Sequence, residues 1–247
     1  MRKILITGAS GILGQKLAKK SSELFDVLAL SKKDLNIIDQ NNVYTIFKEF
    51  QPDIVVNCAA FTNVDKAEDE KSLARDVNVK GLSNIIKSLS PSSKIIHISS
   101  DYVFDGLSGD YLESDIKSPL NYYGKTKLEA DNLLMGSNCH YLIIRPNVLY
   151  SDSGIGSNEA PQHFLSWLIN KLSNGDSINV VNDQISNPTY ISDLVNVIIT
   201  SILVDYVGVC HYGSEDILSR YEFAMKVCDV FGFSSNKIIP ISSSDLN

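Results

Sequence analysis

Tyr123 and Lys127 stand four residues apart in "YYGKTKLEA", and on a helix that spacing puts them on one face, a turn from each other. A phenol with an ordinary pKa of about 10 is a poor acid-base catalyst at neutral pH. A neighbouring ammonium lowers that pKa by stabilising phenolate, so the pair reads as a proton-transfer group with its tuning cation. Tyr122 has no such partner, because the residue four further on is Thr126. About two dozen residues earlier the apolar run "KIIHI" ends in Ser99 and Ser100, followed by "DYVFDG". Hydroxyls that close a buried strand are in position to face a bound carbonyl group, whose proton a nearby phenol would handle.

Such groups need elements to hold them. Short apolar runs, "KILIT" (3–7), "DVLAL" (26–30), "DIVVN" (53–57), "KIIHIS" (94–99) and "YLIIR" (141–145), alternate with segments such as "VYTIFKEF" and "VKGLSNIIKSL" whose apolar residues recur at three- and four-residue steps. Runs of Ile, Val and Leu without polar alternation are strands covered on both faces, which predicts an α/β fold with a doubly wound parallel sheet of Rossmann type. The first domain spans residues 1–150. A loop-like stretch, "SDSGIGSNEAPQHF", then opens a smaller, interleaved lobe over 151–247. That lobe reads as the helix "FLSWLINKL", the strand "INVV", the loop "NDQISNPT", a helix from Tyr190 to Leu203, the strand "VGVCHY", and a last helix opened by Ser219 with Glu222 at capping-box spacing.

Right after the first strand, "ITGASGILG" sets Gly8, Gly11 and Gly14 at the mouth of a helix pattern. Gly8 permits the tight turn, Gly11 lets backbone approach a pyrophosphate, and Gly14 lets helix and strand pack closely. The first helical turn, with Ser10, Ile12 and Leu13, supplies unpaired N–H groups to phosphate. At the end of the second strand an acidic residue would bind the 2′-hydroxyl of NAD and repel the 2′-phosphate of NADP. Here the chain has Ser31, Lys32 and Lys33, a set that suits phosphate, so NADPH is favoured; Asp34, within reach of a ribose, leaves NADH open.

The 247 residues, 44% hydrophobic and 21% charged, suit a globular enzyme, and a net charge of −7 argues against nucleic-acid or anionic-membrane partners. Cys58, Cys139, Cys210 and Cys228 are far apart and lack paired histidines, so no metal site is expected. Cys58 reads as a buried thiol, His97 and His211 as strand histidines satisfied by backbone groups, and Arg145 as a buried structural cation. The N-terminus lacks a signal-type apolar stretch, and a cytoplasmic location is expected.

The G-x-x-G-x-x-G spacing resembles the short-chain dehydrogenase/reductase superfamily, especially its extended branch. The order of "NCAAFTNVDKAE", "SSDYVFDG", "PLNYYGKTKLEAD", "RPNVLY", "NDQISNPT" and "SRYEFA" resembles the dTDP-4-dehydrorhamnose reductases more closely. That resemblance implies reduction of a 4-keto group on a nucleotide-linked 6-deoxyhexose, first the step yielding dTDP-rhamnose, with other nucleotide-sugar reductions or epimerisation as the enzymatic alternative. Ser100 would hold the carbonyl, with Ser99 the lesser alternative, Tyr123 would supply the proton, and Lys127 would also bind the nicotinamide ribose. Asn36 and Ile37 would border the adenine, Ala59, Ala60, Thr62 and Asn78 would line the cofactor, and Asp101, Tyr102 and Asn147 would meet the sugar. The resemblance allows a homodimer, though not one joined through metal-linked carboxylates, since the residue two after Gly14 is Lys16.

Three positions depart from the family pattern. Val148 stands where a tryptophan is usual, Arg220 stands where an aromatic often precedes Tyr221, and "PISSSDLN" ends where relatives continue into an Arg-Pro segment and a helix, which implies a shortened substrate lobe. The chain is also similar to the regulatory β subunit of methionine adenosyltransferase, which implies a cofactor-binding regulatory role as the non-enzyme alternative.

Overall fold

The computed structural model describes residues 1–152 and 163–245, so most of the expected loop "SDSGIGSNEAPQHF" lies outside the described residues. In chain order the elements are β1 (Lys3–Thr7), α1 (Ile12–Ser21), β2 (Asp26–Leu30), α2 (Gln40–Phe50), β3 (Ile54–Asn57), α3 (Val64–Asp69), α4 (Lys71–Arg75), a π-helical turn (Asp76–Lys80), α5 (Gly81–Ser88), β4 (Lys94–Ile98), a 3₁₀ turn (Asp101–Val103), α6 (Tyr122–Met135) and β5 (His140–Pro146). There follow β6 (Leu149–Tyr150), α7 (Phe164–Ser173), β7 (Ile178–Val181), β8 (Ile185–Ser186), β9 (Thr189–Tyr190), α8 (Ile191–Leu203), β10 (Gly208–Tyr212), β11 (Leu218–Ser219), α9 (Arg220–Phe231) and β12 (Ile238–Ile241).

Contacts divide the chain into one unit of Met1–Pro146 with Val195–Tyr212 and another of Asn147–Leu194 with Gly213–Asn247. The first is built on a six-stranded sheet in the order β10-β5-β4-β3-β1-β2, every pair parallel. Ile4, Leu5, Ile6, Val55, Val56, Ile95 and Ile96 lose all exposure, as strands covered on both faces must. On one face Leu5, Val55, Ile95 and Ile143 pack with Val43 and Phe47 of α2, Leu82 and Ile85 of α5, and Ala130 and Leu134 of α6. β1 leads to β2 on one side while β3 continues on the other, so the order reverses between β1 and β3. In open parallel sheets the crevice at the carboxyl ends of such a pair is where ligands bind.

In the second unit α7 and α9 bury Leu168, Ile169, Ala224 and Cys228 against Ile178, Val180 and Ile238, which belong to the parallel pair β7 and β12. The Ser219–Glu222 capping box forms as the spacing predicts. The stretch expected as a plain loop, "NDQISNPT", contributes β8, antiparallel to β11, and the start of β9, parallel to β6. Two-residue strands escape periodicity, because there is no alternation to read in so short a run. No described helix is long and apolar enough to cross a membrane.

Candidate active site

The turn between β1 and α1 has the geometry its glycines suggest. Gly8 has φ +67°, and a Cβ there would lie 2.7 Å from the backbone nitrogen of Ala59, so only glycine lets the turn close on the end of β3. A Cβ on Gly14 would collide with the carbonyl of Gly8, the close helix-to-strand packing expected of it. Gly11 caps α1 without any side-chain hydrogen bond, and the next two residues, Ile12 and Leu13, open a ten-residue helix. Their N–H groups have no intrahelical partner, which fits a pyrophosphate. Ser10 is exposed, and its carbonyl accepts from Gln15 Nε2 at 2.8 Å.

β2 pairs with β1 through Thr7 and Leu30, which brings Ser31 and Lys32 to the same carboxyl edge. The carboxylate of Asp34 folds back onto Ser31, accepting from its hydroxyl at 2.5 Å and from its backbone nitrogen at 3.0 Å. Those hydrogen bonds hold the Asp34 carboxyl below the usual carboxylate range, so a negative charge is fixed beside Lys32 and Lys33, both exposed. Asn36 is exposed and its Oδ1 accepts from Ile38 N at 3.3 Å. Ile37 is only 5% exposed and packs in the core with Val43, Phe47 and Leu82, so its side chain faces inward rather than forming an open adenine wall.

After β3 the half-buried Ala59 and Ala60 and the exposed Thr62 follow one another along the same edge. Asn78, from the π-helical turn, is 2% exposed. Its Oδ1 accepts from Phe61 N at 2.8 Å, and its Nδ2 donates to Phe61 O at 3.2 Å and to Thr126 Oγ1 at 2.9 Å. These hydrogen bonds set Asn78 between the 59–62 loop and α6. The amide is used up in clamping the 59–62 loop to α6, and the extra residue of the π turn is what aims it there.

Ser100 caps the 3₁₀ turn, accepting from Tyr102 N at 3.2 Å and donating to Asp101 Oδ1 at 2.9 Å. It is also hydrogen-bonded to the phenol of Tyr123, whose ring meets that of Tyr102 edge-on with centroids 5.7 Å apart. Ser99 is 4% exposed and its hydroxyl faces the Asp131 carboxylate instead; Ser100 is the serine that meets the tyrosine. Lys127, 1% exposed, donates from Nζ to Ile98 O at 2.7 Å. Burial, partly opposed by Asp131, brings its pKa down to about 8. Lys127 was expected to lower the Tyr123 pKa. Instead burial raises it, with only the Ser100 hydrogen bond working against the rise. Lys127 Nζ is tied to the Ile98 carbonyl, and the phenol stays protonated at neutral pH.

Two residues that sequence reading passed over shape this constellation. A Cβ on Gly124 would strike the carbonyl oxygen of Tyr102 and lie 2.9 Å from Pro119 Cβ, so glycine is what lets α6 seat against the Ser100 turn. Asp131 is fully buried and accepts from Arg145 Nε at 2.9 Å, which gives the expected buried cation its partner. Its place one turn beyond Lys127 was a readable signal.

The histidine expectation also changes. Ala59 N donates to Thr7 Oγ1, Thr7 Oγ1 donates to Asn57 Oδ1 at 2.6 Å, and Asn57 Nδ2 therefore donates to His97 Nδ1 at 3.1 Å. A side-chain amide, not backbone, pairs with His97 Nδ1, Nε2 has no partner among the described residues, and burial keeps the ring neutral. His211 does pair with backbone, its Nδ1 lying 3.1 Å from Tyr111 O. Cys58 is half-buried, its thiol pushed up to about 12 by burial, which makes it a poor acid-base group at neutral pH.

Gly8, Gly11, Ala59, Ser100, Tyr123 and Lys127 thus share the carboxyl edge of one sheet, with half-buried Asp101 and Tyr102 beside them. Asn147 belongs to the second unit, where its Oδ1 accepts from Val148 N at 2.9 Å. In that unit Val148, Tyr150, Phe164, Arg220 and Phe223 line a shallow recess. Arg220 lies over the Phe164 ring, 5.3 Å from its centroid, and donates to Gln184 Oε1 at 2.9 Å. Both departures from the reductase pattern, Val148 and Arg220, therefore meet in one recess.

Comparison with known proteins points the same way. The family described as RmlD substrate binding domain matches residues 1–247. The dTDP-4-dehydrorhamnose reductase of Aggregatibacter actinomycetemcomitans is 38% identical over 240 residues, 93% of this chain and 79% of that protein. Methionine adenosyltransferase 2 subunit beta of Bos taurus is 31% identical over 258 residues, 98% of this chain and 76% of that protein. The crystal structure of dTDP-4-dehydrorhamnose reductase from Bacillus anthracis in complex with NADP superposes with a TM-score of 0.92 at 30% identity, covering 100% of this chain and 87% of that one.

Proposed function

We propose a reductase function for this chain, which belongs to the RmlD substrate binding domain family: NADPH-preferring reduction of the 4-keto group of a nucleotide-linked 6-deoxyhexose, with the step that yields dTDP-rhamnose as its leading candidate. The observation that carries this reading is the convergence of Ser100, Tyr123 and Lys127 on the sheet edge that also holds the uncapped start of α1. A bound nicotinamide supplies hydride to the carbonyl carbon. The residues of the chain do the rest. Ser100, its hydroxyl turned from Asp101 to the carbonyl oxygen, fixes that oxygen against the phenol, and Tyr123, kept protonated by burial, gives it its proton. Lys127 as an ammonium stabilises the phenolate left behind.

The N–H groups at the start of α1 suit the pyrophosphate, and Lys32 and Lys33 suit a 2′-phosphate. The fixed carboxylate of Asp34 supports NADH as the second cofactor. In this reading Asp101 and Tyr102 meet the sugar, the dinucleotide is held by residues 1–150, and Asn147 remains a candidate substrate residue of the smaller lobe.

A regulatory, cofactor-binding role is the second reading. It is favoured by the match to the methionine adenosyltransferase subunit and by Val148 in the recess, where the reductase pattern has a large aromatic wall. One assay separates the two. Purified protein is mixed with NADPH and dTDP-4-keto-6-deoxyglucose, with and without a 3,5-epimerase, and cofactor absorbance is followed. Turnover that falls by about 10²- to 10⁴-fold in Tyr123→Phe, with NADPH binding kept, supports the reductase. Tight NADPH binding with no turnover on any of several keto sugars would transfer the assignment to the regulatory role.

A further inference from the structure

The sheet-to-α6 interface buries more ionisable groups than the proposed chemistry uses. Lys127, Asp131 and Arg145 are 1%, 0% and 2% exposed, and His97 lies close enough for the lysine charge to help keep it neutral. One carboxylate thus serves two permanent or potential cations. Asp131 Oδ2 is taken by Arg145 Nε at 2.9 Å, and the Ser99 hydroxyl also lies against the carboxylate. On α6 the two residues are one turn apart on the same face, and Lys127 Nζ is tethered to Ile98 O at 2.7 Å.

We propose that Asp131, locked by Arg145, is a positioning residue whose buried carboxylate keeps Lys127 an ammonium beside Tyr123. The proposal rests on the reductase reading for its link to rate, but the state of Lys127 can be tested without it. Every group facing the lysine argues for the need. His97 is neutral and Cys58 is a protonated thiol. Tyr123 is protonated. Asp131 is the carboxylate that favours the ammonium, and Arg145 and the Ser99 hydroxyl oppose the burial that pushes its own pKa up. Without it, burial of the ammonium would stand unopposed, and the group would shed its proton instead.

The sign follows directly. Lys127 is charged below about 8 and neutral above it. Removing an influence that raises this value moves the change of charge to lower pH. Asp131→Asn, which keeps the shape, is therefore expected to shift the midpoint downward by about 1–3 pH units, the range for a near opposite charge. The side-chain carbon next to Nζ in Lys127, isotope-labelled and followed by NMR, reports that midpoint directly. In the reductase assay the alkaline limb of kcat/KM should move by the same amount, while kcat below the new midpoint stays within a few-fold of the parent. Asp131→Glu should restore the limb.

An unmoved Lys127 midpoint in Asp131→Asn would overturn the proposal, as would uniform loss of kcat at every pH, which is the signature of a merely structural ion pair. If Asp131→Asn does not fold, the parent protein decides: a Lys127 side chain already neutral at pH 6.5 refutes the role, and one still charged there upholds it. Absence of turnover in the parent protein, together with a shifted midpoint in the variant, would sink the reductase reading and leave the electrostatic one standing.

Discussion

Gly124→Ala is the most informative single methyl group to add to this protein. Its Cβ would lie 2.9 Å from Pro119 Cβ and closer still to the Tyr102 carbonyl oxygen, whereas carbon atoms settle about 3.5–4.0 Å apart. The oxygen belongs to backbone in the turn that carries Ser100, so no side-chain rotation relieves the overlap. The first turn of α6 must instead back away by about 1 Å, and Tyr123 goes with it. Misplacement by about 1 Å of a group that must meet a reacting atom costs about 10²-fold in rate, equivalent to about 2.7 kcal/mol on the barrier. Overpacking should also cost about 1–3 kcal/mol of stability.

The pyrophosphate turn at Gly8 and the start of α1 makes none of these contacts, so NADPH affinity should fall far less than kcat. The assays are steady-state kcat, cofactor titration and urea denaturation on the same preparation. A variant that is destabilised yet retains parental kcat would refute the reasoning, because it would mean that the seat of α6 on the Ser100 turn does not set the distance at which the proton moves.

Two further substitutions test the cofactor end. Gly8→Ala introduces a side chain at φ +67° and 2.7 Å from Ala59 N; strain of about 1–3 kcal/mol should open the turn from the end of β3 and weaken NADPH and NADH binding together, by about 10-fold or more in a fluorescence titration. Lys32→Ala combined with Lys33→Ala should raise the NADPH dissociation constant about 10-fold while leaving NADH nearly unchanged, because only the 2′-phosphate would lose charge-assisted contacts; equal losses for both cofactors would assign discrimination to Asp34 instead.

What could be read from the sequence is what local pattern encodes. Unalternating Ile and Val runs gave the parallel sheet because β4 is buried at all five positions, and a triple-glycine spacing gave the turn because Gly8 and Gly14 have contacts that no other residue could make. Tyr123 and Lys127 were visible because helical spacing places them together. Contacts between segments distant in the chain were not visible. Asn78 looks like an ordinary helix residue until the π turn rotates it toward Phe61 and Thr126, and the protonation of Tyr123 depends on how deeply α6 is seated, which no spacing expresses. Nor did Ser31 announce that it would fold against Asp34, a choice made by two local hydrogen bonds at the end of β2.

The first unit alone does not decide between reductase and regulator. A protonated phenol, a serine beside it and a charged lysine are what reduction requires, but a protein that only binds dinucleotide could keep the same groups at little cost to its fold. The difference must come from what presses the keto sugar against Tyr123. In the second unit the two positions that depart from the reductase pattern, Val148 and Arg220, line the same recess with Tyr150, Phe164 and Phe223. Exchanging a flat indole for an isopropyl group removes apolar surface, while an arginine held over Phe164 and bonded to Gln184 adds a fixed cation. On the reductase reading these two positions, rather than Ser100, Tyr123 or Lys127, are where a loss of turnover would originate.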